Sequence, residues 1–169
     1  MKFTKHFLAF FLSCFASTVY ANNFNYNYVE LRSTSSPSML GGEFSTYILD
    51  NFHFIAHADS EFNGDWDLAT GAGFNGPVGQ FADIFGNILI HQIRNTEYKD
   101  TSKLELNIGA RVWVTDQVEG WAKTGTLADE SVMGVGIRFH STDQLAFGAS
   151  IVKNGLVGSQ TQLNVRFQF

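Results

Sequence analysis

At 169 residues, with 16% charged and 15% aromatic side chains, 16 Gly, 2 Pro and one Cys, the chain has room for one core rather than two. That composition excludes a disordered chain, a coiled coil and a disulfide-stapled scaffold. A mean hydropathy of −0.04 excludes a polytopic helical membrane protein, but not a transmembrane barrel, whose strands turn only half their residues toward lipid.

Residues 1–21 differ from everything after them. Lys2 and Lys5 form a basic start, Phe7 to Ala16 is an apolar run, and Val19-Tyr20-Ala21 ends in small residues before Asn22. This is the pattern of a secretory signal peptide, since the apolar run falls far short of the roughly 20 residues that span a bilayer as a helix. Cleavage after Ala21 is expected, with residues 22–169 forming the domain. Phe11-Leu12-Ser13 makes a poor lipid-attachment box before Cys14, so the mature chain is expected to lack cysteine. Lys2 and Lys5 are two of eleven basic residues, so nine remain against sixteen acidic ones. Such an acidic domain is a poor nucleic-acid binder. Export without a disulfide suits a bacterial envelope protein.

From Asn22 onward the period is two. Ten strands are predicted, at about 23–32, 40–49, 52–61, 66–75, 80–92, 103–115, 118–127, 131–140, 144–154 and 158–169. The clearest is 103–115, where Leu104, Leu106, Ile108, Ala110, Val112 and Val114 share one face and Lys103, Glu105, Asn107, Gly109, Arg111 and Trp113 the other. Met133, Val135, Ile137 and Phe139 alternate with Gly134, Gly136, Arg138 and His140. Tight turns (Asp50-Asn51, Gly76-Pro77, Asp116-Gln117, Ser141-Thr142-Asp143) alternate with longer polar loops (33–39, 63–65, 93–102, 128–130, 155–157). The predicted fold is therefore all-β: an antiparallel up-and-down transmembrane β-barrel of ten strands, with eight as the alternative count.

A soluble periplasmic lipocalin-like barrel binding a small apolar ligand would also alternate, but its outward face should be rich in charge, which is sparse here. The C-terminus weighs the same way. Leu163, Val165, Phe167 and Phe169 step back by twos from the last residue. This is the form of a lipid-facing closing strand with an interfacial aromatic, and of the signal read by the barrel-assembly machinery. The expected surroundings are outer-membrane lipid in a Gram-negative envelope.

Four short segments carry a resemblance: Asn25-Tyr26-Asn27-Tyr28-Val29-Glu30, Asn51-Phe52-His53-Phe54, Val118-Glu119-Gly120-Trp121-Ala122 and Val165-Arg166-Phe167-Gln168-Phe169. On these the chain resembles the small outer-membrane β-barrel proteins of gammaproteobacteria. The resemblance implies a porin-like fold and an envelope location, and brings no catalytic residues with it. Trp121 stands where relatives often have Tyr.

With the apolar face toward lipid, the other face lines the lumen. It carries Glu30, Arg32, Glu43, His57, Asp59, Asp67, Asp83, His91, Glu105, Arg111, Glu119, Lys123, Arg138 and Arg166. The sorting is physically required, since a charge facing out at mid-bilayer costs about 2 to 4 kcal/mol. The lumen is then either a charge-lined pore or a plug of paired acids and bases. Ten strands, between the filled small barrels and the open sixteen-stranded porins, favour a narrow or plugged lumen. Arg111 with Glu119, and Glu30 with Arg166 across the closing seam, are the expected pairs.

Catalysis is not expected. His53, His57 and His91 have no obvious serine beside them, and His140 lies next to Ser141 at a turn. There is no Gly-x-Ser-x-Gly elbow, and the four-residue step from His53 to His57 is zinc spacing on a helix, not on a strand. No metal or cofactor is assigned, and no oligomeric state. Gly71-Ala72-Gly73 and Gly134-Val135-Gly136 are read as small residues easing strand curvature. Adhesion through the surface loops is the remaining alternative, with 33–39 and 93–102 as contact sites.

Overall fold

The computed structural model describes residues 24–62, 64–94, 101–154 and 158–169. The leader, the start at Asn22 and most of loop 93–102 lie outside the described residues.

Ten antiparallel strands run in chain order: β1 (Tyr28–Ser35), β2 (Met39–Leu49), β3 (Phe52–Ser60), β4 (Trp66–Pro77), β5 (Ala82–Arg94), β6 (Thr101–Thr115), β7 (Val118–Leu127), β8 (Glu130–His140), β9 (Leu145–Asn154) and β10 (Ser159–Gln168). Each pairs with its neighbours in sequence, and β1 pairs with β10, so the sheet closes and has no edge. Closure satisfies the backbone without solvent, as a wall bounded by hydrocarbon needs. Strand lengths run from 8 to 15 residues, against about 9 to 11 for a tilted crossing.

The pleat sorts side chains as the period-two reading requires. Leu31, Ile48, Ile88, Ile108, Val135, Ile137, Ile151 and Leu163 are all exposed on the outer wall. Interior positions hold Glu30, His53, Asp83, Glu105, Arg111, Glu119, Arg138 and Arg166, all buried. The interior apolar cluster is small: Ile55, Ala69 and Leu89. A soluble barrel has the reverse arrangement. Outward aromatics gather at the turn end, where Phe44 stacks on Phe169 (6.3 Å between centroids) and Phe52 meets Phe74 edge-on (5.3 Å).

Three boundaries differ from expectation. The first strand begins at Tyr28, not near residue 23. Residues 24–27 turn inward instead, with Phe24 and Tyr26 buried. Gly76-Pro77 is not a turn: both residues belong to β4, Pro77 opposite Asp83. Proline is tolerated there because the strand end needs no further ladder donor. The reversal falls at 78–81, closed by Val78 N–H donating to the Ala82 carbonyl (2.9 Å), with Gly79 at φ +114°. Last, β1 and β2 extend into the expected 33–39 loop, leaving residues 36–38 as the connection.

Register slips near two tight turns, between Tyr47 and Leu49 and between Trp113 and Thr115, leaving one extra residue on β2 and one on β6.

Candidate functional site

The interior is organised around buried ion pairs, built from the turn end toward the loop end. Glu119, on β7 two residues after the 116–117 turn, is fully buried. It accepts two hydrogen bonds from Arg111 of β6, Nε to Oε1 at 2.8 Å and Nη2 to Oε2 at 2.9 Å. Arg138, directly opposite on β8, donates to Oε1 at 2.7 Å, and His140 Nε2 lies 3.1 Å from Oε2. Arg138 also reaches Glu30 of β1 (3.6 Å), which accepts from Arg166 Nε and Nη2, each at 2.7 Å. Five charged groups from β6, β7, β8, β1 and β10 thus form one chain around the wall. Glu30 and Arg166 are register partners across the closing seam.

The inturned N-terminal segment sits on this chain. Arg111 lies between the rings of Phe24 and Tyr26, 4.9 and 4.8 Å from their centroids. Phe24 stacks on Trp113 (5.5 Å), and Tyr26 donates its hydroxyl to Asp83 (3.0 Å). Arg166 covers the Tyr28 ring at 3.5 Å. Backbone capture fixes the segment: Asn27 Oδ1 accepts from Tyr47 N–H at 2.8 Å, and the Asn27 carbonyl from Phe169 N–H at 3.2 Å.

Toward the loops a second network forms. Arg32 forks onto Asp59 (2.8 and 2.5 Å) and donates to Glu43 at 2.8 Å, while Tyr28 donates to the other Glu43 oxygen at 2.6 Å. Glu105 accepts from Asn107 and meets His91 Nε2 at 3.0 Å. Lys123, the loosest of the predicted lumen charges, stands 3.8 Å from Glu105 with 28% of its side chain exposed.

A cavity of about 610 Å³ runs from the loop end down to Tyr26, His53, Arg111 and Glu119, so both networks border it. Glu30, Glu43, Glu105, Arg111, Glu119, Lys123, Arg138 and Arg166 all contribute to its wall; Asp83 lies below it, against Tyr26. Phe24, Trp113 and His140, at the turn end, are not part of its lining.

Sequence reasoning missed two features. One is the N-terminal segment, whose alternation continues unbroken into β1. The other is the grouping of His57, Asp67 and His91, which come from three strands and have no spacing in common. The glycines at 134 and 136 also have a more specific role than easing curvature. The Trp121 indole lies across them, and a Cβ at residue 136 would stand 2.8 Å from its ring and 2.6 Å from Ser150 Cβ.

Comparison with solved structures gives the fold a context. The chain is similar to the KdgM porin in complex with disordered oligogalacturonate, with a TM-score of 0.60 at 8% identity, covering 84% of this chain and 99% of that one. The NanC porin gives a TM-score of 0.51 at 8% identity, covering 84% and 98%. The chain folds as a small porin-like β-barrel. No family model and no curated protein matches the sequence. The likeness is therefore one of fold, and the gammaproteobacterial resemblance of the four short segments has no sequence match behind it.

Proposed function

We propose that this protein is an integral outer-membrane barrel whose lumen is a charged chamber open at the loop end and closed at the turn end. The observation that carries the reading is the sorting of the wall: isoleucines, leucines and phenylalanines outside, ion pairs inside. An apolar exterior of this extent is stable only against hydrocarbon. Export through a leader cleaved after Ala21 belongs to the same reading. So does recognition of the Leu163, Val165, Phe167 and Phe169 face by the barrel-assembly machinery. Closure is supported by Arg111 held between Phe24 and Tyr26, and by the Arg138 bridge joining Glu119 to Glu30. The chamber admits small polar solutes from outside, and the role is one of envelope structure rather than bulk permeation. No catalytic chemistry is assigned to it. A narrow small-solute path is the second reading, favoured by the porin fold of KdgM and NanC.

Conductance in planar bilayers tests this. The barrel beginning at Asn22 should show no sustained channel, and a version beginning at Tyr28, lacking the Phe24 and Tyr26 rings, should show one. Steady ohmic current from the longer barrel would overturn the closed lumen and favour the second reading.

A further inference from the structure

His57 on β3, Asp67 on β4 and His91 on β5 converge on the chamber wall, with one ligand atom of each within 4.8 Å of the others. Register explains the meeting. Ala69 of β4 is opposite His57 on one side and His91 on the other, and its methyl group leaves the two rings room to approach edge to face at 5.2 Å.

Two observations concern the ring nitrogens of this group. His91 faces a carboxylate at both ring nitrogens: Nε2 is 3.0 Å from Glu105, and Nδ1 is 2.9 and 3.0 Å from the two Asp67 oxygens. A neutral imidazole has one N–H and one lone pair. An imidazolium donating to both carboxylates satisfies this geometry; so does a neutral ring that gives its N–H to Glu105 and shares a cation with Asp67 through Nδ1. The second observation is His57. Its side chain is 9% exposed, its Nδ1 has no hydrogen-bond partner among the described residues, and the nearest carboxylates stand 3.9 Å away on either side. It is a buried imidazole with an unengaged nitrogen.

We propose that His57, Asp67 and His91 bind one divalent transition-metal ion of the zinc class, with the remaining coordination position open to the chamber. Two imidazoles and one carboxylate suit a borderline metal rather than calcium or magnesium, which take oxygen ligands. Glu105 completes the arrangement from behind, as carboxylates commonly do for a ligating histidine, fixing the ring and its tautomer. Glu43, Asp59, Asp67 and Glu105 surround the group, with Arg32, Lys123 and Lys103, the cross-strand partner of His91, as the cationic side chains nearby. The local charge stays net negative, which favours a cation.

The test is titration of tagless, EDTA-stripped barrel, refolded in detergent, with Zn2+ by calorimetry, and with Co2+ by its visible absorption. One ion per barrel should bind. His91→Ala and Asp67→Asn should each abolish binding or weaken it by more than tenfold. Glu105→Gln should weaken it by about 10 to 100-fold, and His53→Ala should leave it unchanged. Heat-modifiable gel migration confirms that each variant is folded, and the isosteric Asp67→Asn keeps the test valid if a histidine variant is not. Absence of binding to the folded wild-type barrel would overturn the proposal and leave His91 as an imidazolium bridging Asp67 and Glu105. Binding that survives both Asp67→Asn and His91→Ala would overturn it equally. Neither result bears on conductance, so the closed lumen stands or falls separately.

Discussion

Removing Glu119 should expose how much the barrel depends on its buried ion pairs. The carboxylate is fully buried and accepts from Arg111 twice, from Arg138 once, and lies within hydrogen-bond distance of His140. Glu119→Ala leaves two buried guanidiniums short of a partner, and breaking a buried pair from one side costs about 3 to 5 kcal/mol. Two guanidiniums push the loss upward. Against that, Arg138 keeps Glu30 at 3.6 Å, and Arg111 keeps the Phe24 and Tyr26 faces, a cation–π contribution of about 0.5 to 2 kcal/mol. These offsets hold the expected loss near 3 to 5 kcal/mol rather than twice that. Urea titration of barrel in phospholipid vesicles, followed by tryptophan fluorescence, measures it as a shift in midpoint at constant slope. Trp113, stacked on Phe24 and 4.6 Å from the His140 ring, reports from beside the pair, while Trp66 and Trp121 report from elsewhere in the wall. The double variant Glu119→Leu with Arg111→Met should be less damaged than Glu119→Ala alone, because one uncompensated charge is gone with its partner. A loss below about 1 kcal/mol for Glu119→Ala would refute the reasoning, since the guanidiniums must then be hydrated and the turn end open to water.

Orientation along β6 gives a second test: Ala110→Arg places a guanidinium on the outer wall and should cost about 2 to 4 kcal/mol in vesicles. Asn107→Arg, inside the barrel beside Glu105, should be milder, and the reverse order would mean that the outer wall does not meet lipid. Deleting Phe169, whose ring stacks on Phe44, should lower membrane-inserted yield in cells more than it lowers the stability of refolded barrel; equal losses would reduce its role to anchoring.

The wall of the barrel was legible in the sequence because a closed sheet with one apolar and one polar face enforces a strict period. In β6 every second residue from Leu104 to Val114 must be apolar, and the intervening positions are free to carry Glu105 and Arg111. The pairs were legible where two strands join at a tight turn or at the seam. Arg111 and Glu119 flank the 116–117 hairpin, and Glu30 meets Arg166 where the last strand closes on the first. The N-terminal boundary was not legible, and the reason is physical. Phe24-Asn25-Tyr26-Asn27-Tyr28 alternates as faithfully as a strand does, yet what decides its path is the Arg111 guanidinium between two rings and the capture of Asn27 by Tyr47 N–H. Neither contact leaves a periodic trace. Pro77 misled in the opposite sense, since a residue that usually marks a turn sits at a strand end that has no use for its missing N–H.

The interior is not uniform along its axis, and the two networks should therefore respond differently to the same kind of change. At the turn end three guanidiniums share two carboxylates, and every charge is fixed by a partner on a neighbouring strand or at the seam. Such pairs do more to fix strand register than to add stability, so substitutions there act on folding. At the loop end the balance reverses. Seven carboxylates line the loop-end wall against five cationic side chains, Arg32, Arg94, Lys103, Lys123 and Lys153. Excess negative charge lining a cavity favours cations over anions there. Ion pairing is densest at the turn end, and the three candidate metal ligands lie toward the loops.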